Sequence, residues 1–411
     1  MVGVERDPTP ATPRIGVVLT GGGARAAYQV GVLSGIERIR REAGAPPRNP
    51  FAVIAGTSAG AINAAALAAG ADRFDDALAG LAGVWRDIRA EHVYRADAFG
   101  VVRTGASWLT MLTAGWALTR WRRGKPRALL DNSPLASLLE ESLALERIPE
   151  VMRGGHLDAL AVSGSSYTSG THVTFYDARD DIQPWTRSQR IAVRCSIGVD
   201  HLLASSALPF LFPATALKLG DGTEWFGDGS MRQSAPISPA IHLGSERVLV
   251  VGAGRMHEPY EPPPAAPPYP SLAQVAGHAL STIFLDSLAL DIERLQRINT
   301  TYALLSPEAR QHTSLRVVDV LVISPSQRLD EIAARHVDSL PTPVRALLGS
   351  VGVQSGDRRS GAALASYLLF ESSYTTELMA LGEADTLVRR EDVARFFGWE
   401  APAAASDPGA R

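Results

Sequence analysis

The sequence predicts an α/β fold, in which a mostly parallel central sheet carries helices on both faces. Short apolar runs typical of buried strands alternate with helical patterns through residues 14–70. A chain of 411 residues, of which 45% are hydrophobic and 20% are charged, can also bury a large core. Further strands are predicted at 157–163, 171–176, 246–253 and 317–323.

The first predicted strand, at 15–20, runs into a glycine-rich loop and then into a helical pattern. Three glycines leave the backbone bare, so that N–H groups and the positive end of the following helix can converge on an anion. That anion is either a phosphate or the oxyanion of an acyl-transfer intermediate. The loop consists of Gly21, Gly22, Gly23, Ala24 and Arg25.

Two features of the sequence favour the oxyanion. A dinucleotide-binding loop needs a third glycine at position 26 and an acidic residue about 20 residues on, at the end of the second strand. Position 26 is Ala26, and the second strand ends in Gly-Thr-Ser. Phosphate binding is therefore the minor alternative.

The second predicted strand, at 51–55, leads into the pattern Gly-x-Ser-x-Gly and an alanine-rich helix. Gly56 and Gly60 permit a tight, strained turn that lifts the oxygen of Ser58 clear of the backbone, as a nucleophile requires. The five-residue pattern also arises by chance in a chain rich in alanine and glycine. A plain turn of small residues is therefore the alternative.

A base for Ser58 is expected elsewhere in the chain. The nine histidines lie in no common motif, and only two predicted strands precede Ser58, whereas several usually precede the serine of α/β-hydrolases. Asp228 stands out because it lies between Gly227 and Gly229 after an aromatic strand. The alternative is an Asp-Gly turn, although Asp221 fits the tip of a hairpin better.

In three separate motifs the chain resembles the patatin-like phospholipases, a family of serine acyl hydrolases that use a Ser-Asp dyad without a histidine. Residues 21–25 are similar to the family's oxyanion loop, residues 56–60 to its nucleophile turn and residues 228–230 to its Asp-Gly-Gly/Ala motif. Residues 204–213 are similar to its Ala-Ser-x-x-x-Pro segment. The resemblance covers roughly residues 14–250.

This resemblance implies a three-layer α/β/α fold with Ser58 as the nucleophile and Asp228 as its base. Residues 21–25 would hold the oxyanion, and no metal or organic cofactor is implied. Two positions depart from the family pattern, because Ala26 replaces a glycine and Ser230 stands where glycine or alanine is usual. A methyl group at position 26 is expected to restrict the backbone and shift one oxyanion amide.

The segment 98–130 combines aromatic and apolar residues with a basic cluster at 120–127. Its uncharged run, 105–119, is shorter than the ~18 residues that span a bilayer. The segment is either a helical cap packed over the active site or a helix lying at a lipid interface, and a lid could be both. The second interpretation predicts peripheral membrane contact through 98–127.

Composition predicts where the parts of the chain begin and end. A tail at 1–13 has no apolar run of a signal peptide, and the catalytic domain follows at 14–257. A proline-rich linker at 258–270 precedes a mainly helical region at 271–400, which is expected to pack on the catalytic domain, and a tail at 401–411.

The charge balance and the cysteine count limit the partners and the disulfide bonds that the chain can have. With 40 basic and 43 acidic side chains, the net charge of −3 gives no global field that favours nucleic acid. The single cysteine, Cys195, excludes an internal disulfide. The expected location is the cytoplasm, with peripheral contact on the inner membrane face if 98–127 meets lipid.

Together these features predict a lipid acyl hydrolase of phospholipase A, lysophospholipase or esterase type, which acts on a lipid ester through an acyl-enzyme. The alternatives are a serine esterase or protease with a histidine triad and a non-catalytic module that binds a nucleotide or a lipid.

Overall fold

A single sheet of ten strands lies at the centre of the residues that this computed structural model describes, which are 13–95, 128–179, 181–256, 269–313, 315–353 and 361–400. In chain order the strands are β1 (Ile15–Leu19), β2 (Val53–Thr57), β3 (Ala159–Ser166), β4 (His172–Ala178), β5 (Thr186–Arg187), β6 (Arg190–Arg194), β7 (Thr215–Leu219), β8 (Gly222–Asp228), β9 (Arg247–Val251) and β10 (Asp319–Ile323). They lie in the order β10-β9-β1-β2-β3-β4-β6-β5, and the β7–β8 hairpin pairs with β3.

The middle of the sheet is parallel. Strand β1 lies between β2 and β9, β2 pairs with β3, and β9 pairs with β10, all in parallel. Strands β4 and β8 run antiparallel to β3. The predicted fold class is confirmed. Because the chain leaves β1 toward β2 and later returns to β9 on its other side, the carboxyl end of β1 is a point where α/β sheets bind ligands.

The helices of the described residues are α1 (Ala27–Glu42), α2 (Ala59–Ala69), α3 (Phe74–Asp87), α4 (Ala90–Val93), α5 (Ser133–Ser142), α6 (Ile148–Arg153), α7 (Val199–Ser205), α8 (Ser238–His242), α9 (Leu272–Ser281), α10 (Ser287–Ala303), α11 (Pro307–Gln311), α12 (Leu329–His336), α13 (Thr342–Ser350), α14 (Ala362–Leu368), α15 (Ser372–Val388) and α16 (Arg390–Phe397).

Side chains of β1 alternate between two cores, as a strand buried on both faces requires. Val17 and Leu19 belong to a core that includes α1, α2 and α3, whereas Val18 belongs to a core that includes Leu288 and Ile292 of α10. Helices therefore cover both faces of the sheet, and the expected three layers are present.

The C-terminal region completes both the sheet and one helical layer. Strand β10 extends the sheet beside β9. Helix α15 packs on α1, where the Tyr28 hydroxyl donates a 3.0 Å hydrogen bond to Asp385 and the Thr386 hydroxyl donates one of 3.4 Å to the Val32 carbonyl. The stretches before and after the proline-rich segment thus share one sheet.

Helices α9 and α10 form one continuous helical stretch, Leu272–Ala303, which contains a π-helical turn at Thr282–Asp286. The extra residue of such a turn changes which side chains face inward, and Phe284 stacks on the ring of Tyr367 at 5.1 Å. By length and mean hydropathy of 1.3, Leu272–Ala303 is the one described stretch that could cross a membrane. Phe284, Leu288 and Ile292 of this stretch are buried in the fold.

Four predicted segments lie wholly or mostly outside the described residues. These are the two tails at 1–13 and 401–411, the cap or interfacial segment at 98–130 and the linker at 258–270. What the sequence predicts for them stays a prediction.

Candidate active site

Ser58 lies in the turn between β2 and α2 with a strained backbone. Its φ of 57° and ψ of −133° are conformations that residues with side chains rarely adopt. The residue is 1% exposed, and its amide donates a 2.8 Å hydrogen bond to the Ser205 hydroxyl. This strained turn from strand to helix is the geometry that the Gly-x-Ser-x-Gly pattern predicts.

Gly56 and Gly60 leave room for the turn. A Cβ atom at Gly60 would lie 2.3 Å from the Leu19 carbonyl oxygen, and one at Gly56 would lie 2.4 Å from the Gly60 carbonyl oxygen. Helix α2 therefore begins directly against the end of β1, and Ser58 comes close to the glycine-rich loop.

The glycine-rich loop passes from β1 into a short 3₁₀ helix, Gly23–Ala26. Gly23 has a φ of +55°, and a Cβ atom there would lie 2.3 Å from the Tyr367 carbonyl oxygen. Gly23 lines the same cavity as Ser58. Ala26 adopts φ −65° and ψ −12°, which suit alanine, so the strain expected at this departure is absent.

Arg25 fastens the loop to the C-terminal region. The side chain is buried, its Nε donates a 2.7 Å hydrogen bond to the Ser366 hydroxyl, and its guanidinium lies 4.1 Å from the centre of the Tyr367 ring. Both partners belong to α14. The guanidinium is thus engaged within the protein, where it supports the loop.

Asp228 ends β8 and is fully buried. Its Oδ1 accepts a 2.9 Å hydrogen bond from the Ser230 amide, whereas its buried Oδ2 has no hydrogen-bond partner among the described residues. Burial raises the pKa of Asp228 to about 6, although the Ser58 side chain and Ser230 favour the ionised form. The carboxylate can therefore accept a proton near neutral pH.

The loop after Asp228 touches the glycine-rich loop and β3. A Cβ atom at Gly21 would lie 2.4 Å from Ser230 Oγ, and one at Gly229 would lie 2.2 Å from the Ser163 carbonyl oxygen. The three sequence motifs therefore meet in one place. At this departure from the family pattern the Ser230 amide bonds to Asp228, and the Ser230 side chain also favours the ionised carboxylate.

Gln233 joins the two loops that carry Ser58 and Asp228. Its Nε2 donates a 2.8 Å hydrogen bond to the Thr57 hydroxyl and one of 3.5 Å to the Ser163 hydroxyl. No local sequence pattern distinguishes Gln233 from other glutamines, so the sequence does not indicate its role. The role of Ser205 was not predicted either, although Ser205 belongs to the segment 204–213.

No hydrogen bond joins a histidine to Ser58 or Asp228 within the described part of the chain; His257 lies outside it. His172 is buried beside the Gly229 backbone. Burial, and then Arg190, lowers the pKa of His172 to about 4, so the ring is neutral at pH 7. His242 stacks on Trp185, and His336 bonds to Glu377.

A network of buried, hydrogen-bonded side chains joins α2 to the glycine-rich loop. Asn63 on α2 donates hydrogen bonds to the Ala26 carbonyl (3.2 Å) and the Gln29 side chain (3.0 Å), and it accepts one from Trp85 Nε1 (2.8 Å). Gln29 in turn donates to the Thr20 carbonyl at 2.7 Å. These bonds fix the glycine-rich loop relative to α2.

An apolar cavity of about 330 Å³ opens from Ser58 and Gly23. It runs between α2, α3 and α5, and most of the side chains that line it are hydrophobic. An apolar cavity that meets a few convergent polar groups is typical of a ligand site.

A family model described as patatin-like phospholipase matches residues 17–241, which include all three motifs. The chain belongs to the patatin-like phospholipase family. A comparison with curated proteins gives no match.

Solved structures similar to this patatin-like chain include VipD from Legionella pneumophila, at 13% identity and a TM-score of 0.31, covering 90% of this chain and 67% of VipD. Human GIVD cytosolic phospholipase A2, in complex with methyl gamma-linolenyl fluorophosphonate, is 12% identical with a TM-score of 0.42, covering 96% of this chain and 60% of that one. The type III effector protein ExoU is 13% identical with a TM-score of 0.29, covering 90% and 54%. At such scores these similarities carry no functional argument.

Proposed function

We propose that the chain is a serine lipid acyl hydrolase, of phospholipase A, lysophospholipase or esterase type, in which Ser58 is the nucleophile and Asp228 its base. One observation carries the proposal: the strained Ser58 and the buried Asp228 carboxylate, whose Oδ2 has no hydrogen-bond partner among the described residues, adjoin the glycine-rich loop beside an apolar cavity. A strained turn and a buried carboxylate that lacks a hydrogen bond each cost free energy of folding. Features with such a cost concentrate at catalytic sites.

In the first half-reaction Asp228 takes the hydroxyl proton while Ser58 Oγ attacks the ester carbonyl carbon. The tetrahedral oxyanion receives hydrogen bonds from the amides of Gly22, Gly23 and Ala24. The C–O bond to the alcohol then breaks, Asp228 returns the proton to the departing oxygen, and the acyl group remains on Ser58.

In the second half-reaction a water molecule attacks the acyl-enzyme and Asp228 accepts its proton. The bond to Ser58 Oγ breaks, the serine recovers a proton from Asp228, and the fatty acid leaves. A base with a pKa of about 6 is ionised at pH 7 and still basic enough to take these protons, which supports the role of Asp228.

Covalent labelling tests the nucleophile. A fluorophosphonate should label Ser58 in the wild type and leave Ser58→Ala unlabelled. The substitution Asp228→Asn keeps the shape of the side chain but removes the base, so hydrolysis of a soluble short-chain ester should fall about 10²- to 10⁴-fold. Asp221→Asn is the matched control, because Asp221 is exposed at the tip of the β7–β8 hairpin.

The same measurements separate the alternatives. A histidine whose replacement costs as much as Asp228→Asn, in a protein that remains folded by circular dichroism, would support a triad. Absence of both labelling and ester hydrolysis in the folded wild type would favour a binding module. Lipid profiling with the wild type and Ser58→Ala identifies which lipid is consumed.

A further inference from the structure

One face of α2 forms the floor of the cavity that begins at Ser58. Successive turns of the helix contribute side chains that, apart from one isoleucine, are small. The floor consists of Ser58, Ala59, Ile62, Ala66, Ala69 and Gly70. Because these positions follow the three- and four-residue spacing of a helix, the floor is a straight strip along the helix axis.

Helix α3 runs back over this strip as one wall of the groove. A short turn joins the two helices, so Arg73 lies near the far end of α2. Trp85, at the other end of α3, bonds to Asn63 near the Ser58 end. Between them Gly80 lines the groove without a side chain, and a Cβ atom there would meet no described residue within 4 Å.

A charged group lies at the far end of the floor. The guanidinium of Arg147 donates a 2.9 Å hydrogen bond to the Ala69 carbonyl and one of 2.7 Å to the Asp72 carboxylate. Arg147 thus caps the C-terminus of α2, where a cation is favoured. The apolar floor therefore ends at an ion pair, which hydrocarbon does not displace without loss.

The length of the groove follows from helix geometry. The twelve steps from Ser58 to Gly70, at about 1.5 Å each, give about 18 Å. An extended hydrocarbon chain with bonds of about 1.5 Å at tetrahedral angles advances about 1.25 Å per bond. The groove therefore accommodates about fourteen bonds beyond the carbonyl carbon at Ser58.

We infer that this groove is an acyl-chain ruler, in which α2 sets the length and the Arg147–Asp72 pair sets the end. The inference rests on the proposed function and adds to it the substrate class, a lipid ester with an acyl chain of about fourteen to sixteen carbons. Each methylene buried in the groove improves binding by up to about fourfold. Methylenes beyond the ion pair contribute no further gain.

Two substitutions, one on the floor and one on the wall, should shorten the groove that is open to an acyl chain. Ala66→Leu raises the floor eight residues from Ser58, at about 12 Å, and Gly80→Leu fills the wall where space is open. In each, the ratio of kcat/KM for a sixteen-carbon ester to that for a six-carbon ester should fall at least tenfold. Gly83→Leu is the matched control, since Gly83 lies on the same helix, does not line the groove and is also open at Cβ.

Binding to the Ser58→Ala variant tests the ruler without catalysis. Calorimetry with saturated fatty acids of six to eighteen carbons should give affinities that rise with length and level off near fourteen to sixteen. Adding Ala66→Leu or Gly80→Leu should move that plateau to about ten carbons, with both proteins folded by circular dichroism. Affinities independent of length, or a plateau that neither substitution moves, would overturn the ruler. Normal fatty-acid binding with no ester hydrolysis by the wild type would instead overturn the proposed function alone.

Discussion

The side-chain amide of Gln233 donates a 2.8 Å hydrogen bond to the Thr57 hydroxyl, and this bond joins the loop after Asp228 to the residue before Ser58. Gln233 is 8% exposed, so little water is available to replace the bond. The separation between the serine and the carboxylate therefore depends on a residue that need not touch the substrate.

Replacement of Gln233 should therefore affect turnover more than binding. In Gln233→Leu the two loops lose a buried hydrogen bond, and we expect kcat to fall about tenfold with little change in KM. Steady-state kinetics with a soluble ester measure both constants. Gln296→Leu, on the exposed side of α10, is the control. An unchanged kcat would show that Gln233 does not position the site.

The pH dependence should follow Asp228. Because the base must be ionised to take a proton, kcat/KM should rise with pH through about 6 and level off above it. A pH–rate profile on a soluble ester, with the folded state checked at each pH, gives the midpoint. A profile that is flat between pH 5 and 7 would contradict this assignment.

An ordinary histidine also titrates near pH 6.5, so His172 needs a separate test. Its pKa of about 4 means that it is neutral throughout the rise expected for Asp228. We expect His172→Leu to leave the midpoint near 6 and to retain at least about a tenth of the activity. Disappearance of the rise in this variant would assign it to the histidine instead.

Asp228 should also lower the stability of the fold. Its pKa is raised from 3.8 to about 6, so between these values the folded state binds more protons than the unfolded state, and stability falls as pH rises. At pH 7 the ionised form costs about 3 kcal/mol. Asp228→Asn removes this cost while its amide oxygen can still accept from Ser230. Urea unfolding at pH 7 should show a more stable but inactive protein, and the difference should shrink below pH 4. A less stable variant at pH 7 would contradict the prediction.

Arg25 should link the loop to the stability of the C-terminal region. In Arg25→Met the bond to Ser366 and the contact with the Tyr367 ring are lost, and we expect the free energy of unfolding to fall by about 2–3 kcal/mol and kcat at least tenfold. Arg25→Lys should recover part of both, because an ammonium keeps the charge but not the planar group. Ser366→Ala removes only one partner and should have the smallest effect. Equal stability of all four proteins in urea would disprove the link.

Local patterns in the sequence determined the main strands and the three motifs. The apolar runs before Gly21 and Gly56 correspond to β1 and β2, since a strand buried on both faces must be apolar throughout. Glycines that flank Ser58 indicate a turn because a side chain at Gly56 or Gly60 would collide with the neighbouring backbone. Such constraints act over a few residues and are visible in one sequence.

Only the tertiary structure decided how these motifs are supported and what adjoins them. Gln233 and Thr57 are 176 positions apart, and Arg25 and Ser366 are 341 apart. The burial of Asp228, whose Oδ2 has no hydrogen-bond partner among the described residues, and the ion pair at Arg147 likewise depend on which surfaces pack together. Periodicity and glycine spacing report the conformation of one segment, whereas burial, hydrogen-bond partners and pKa values arise when distant segments exclude water from each other.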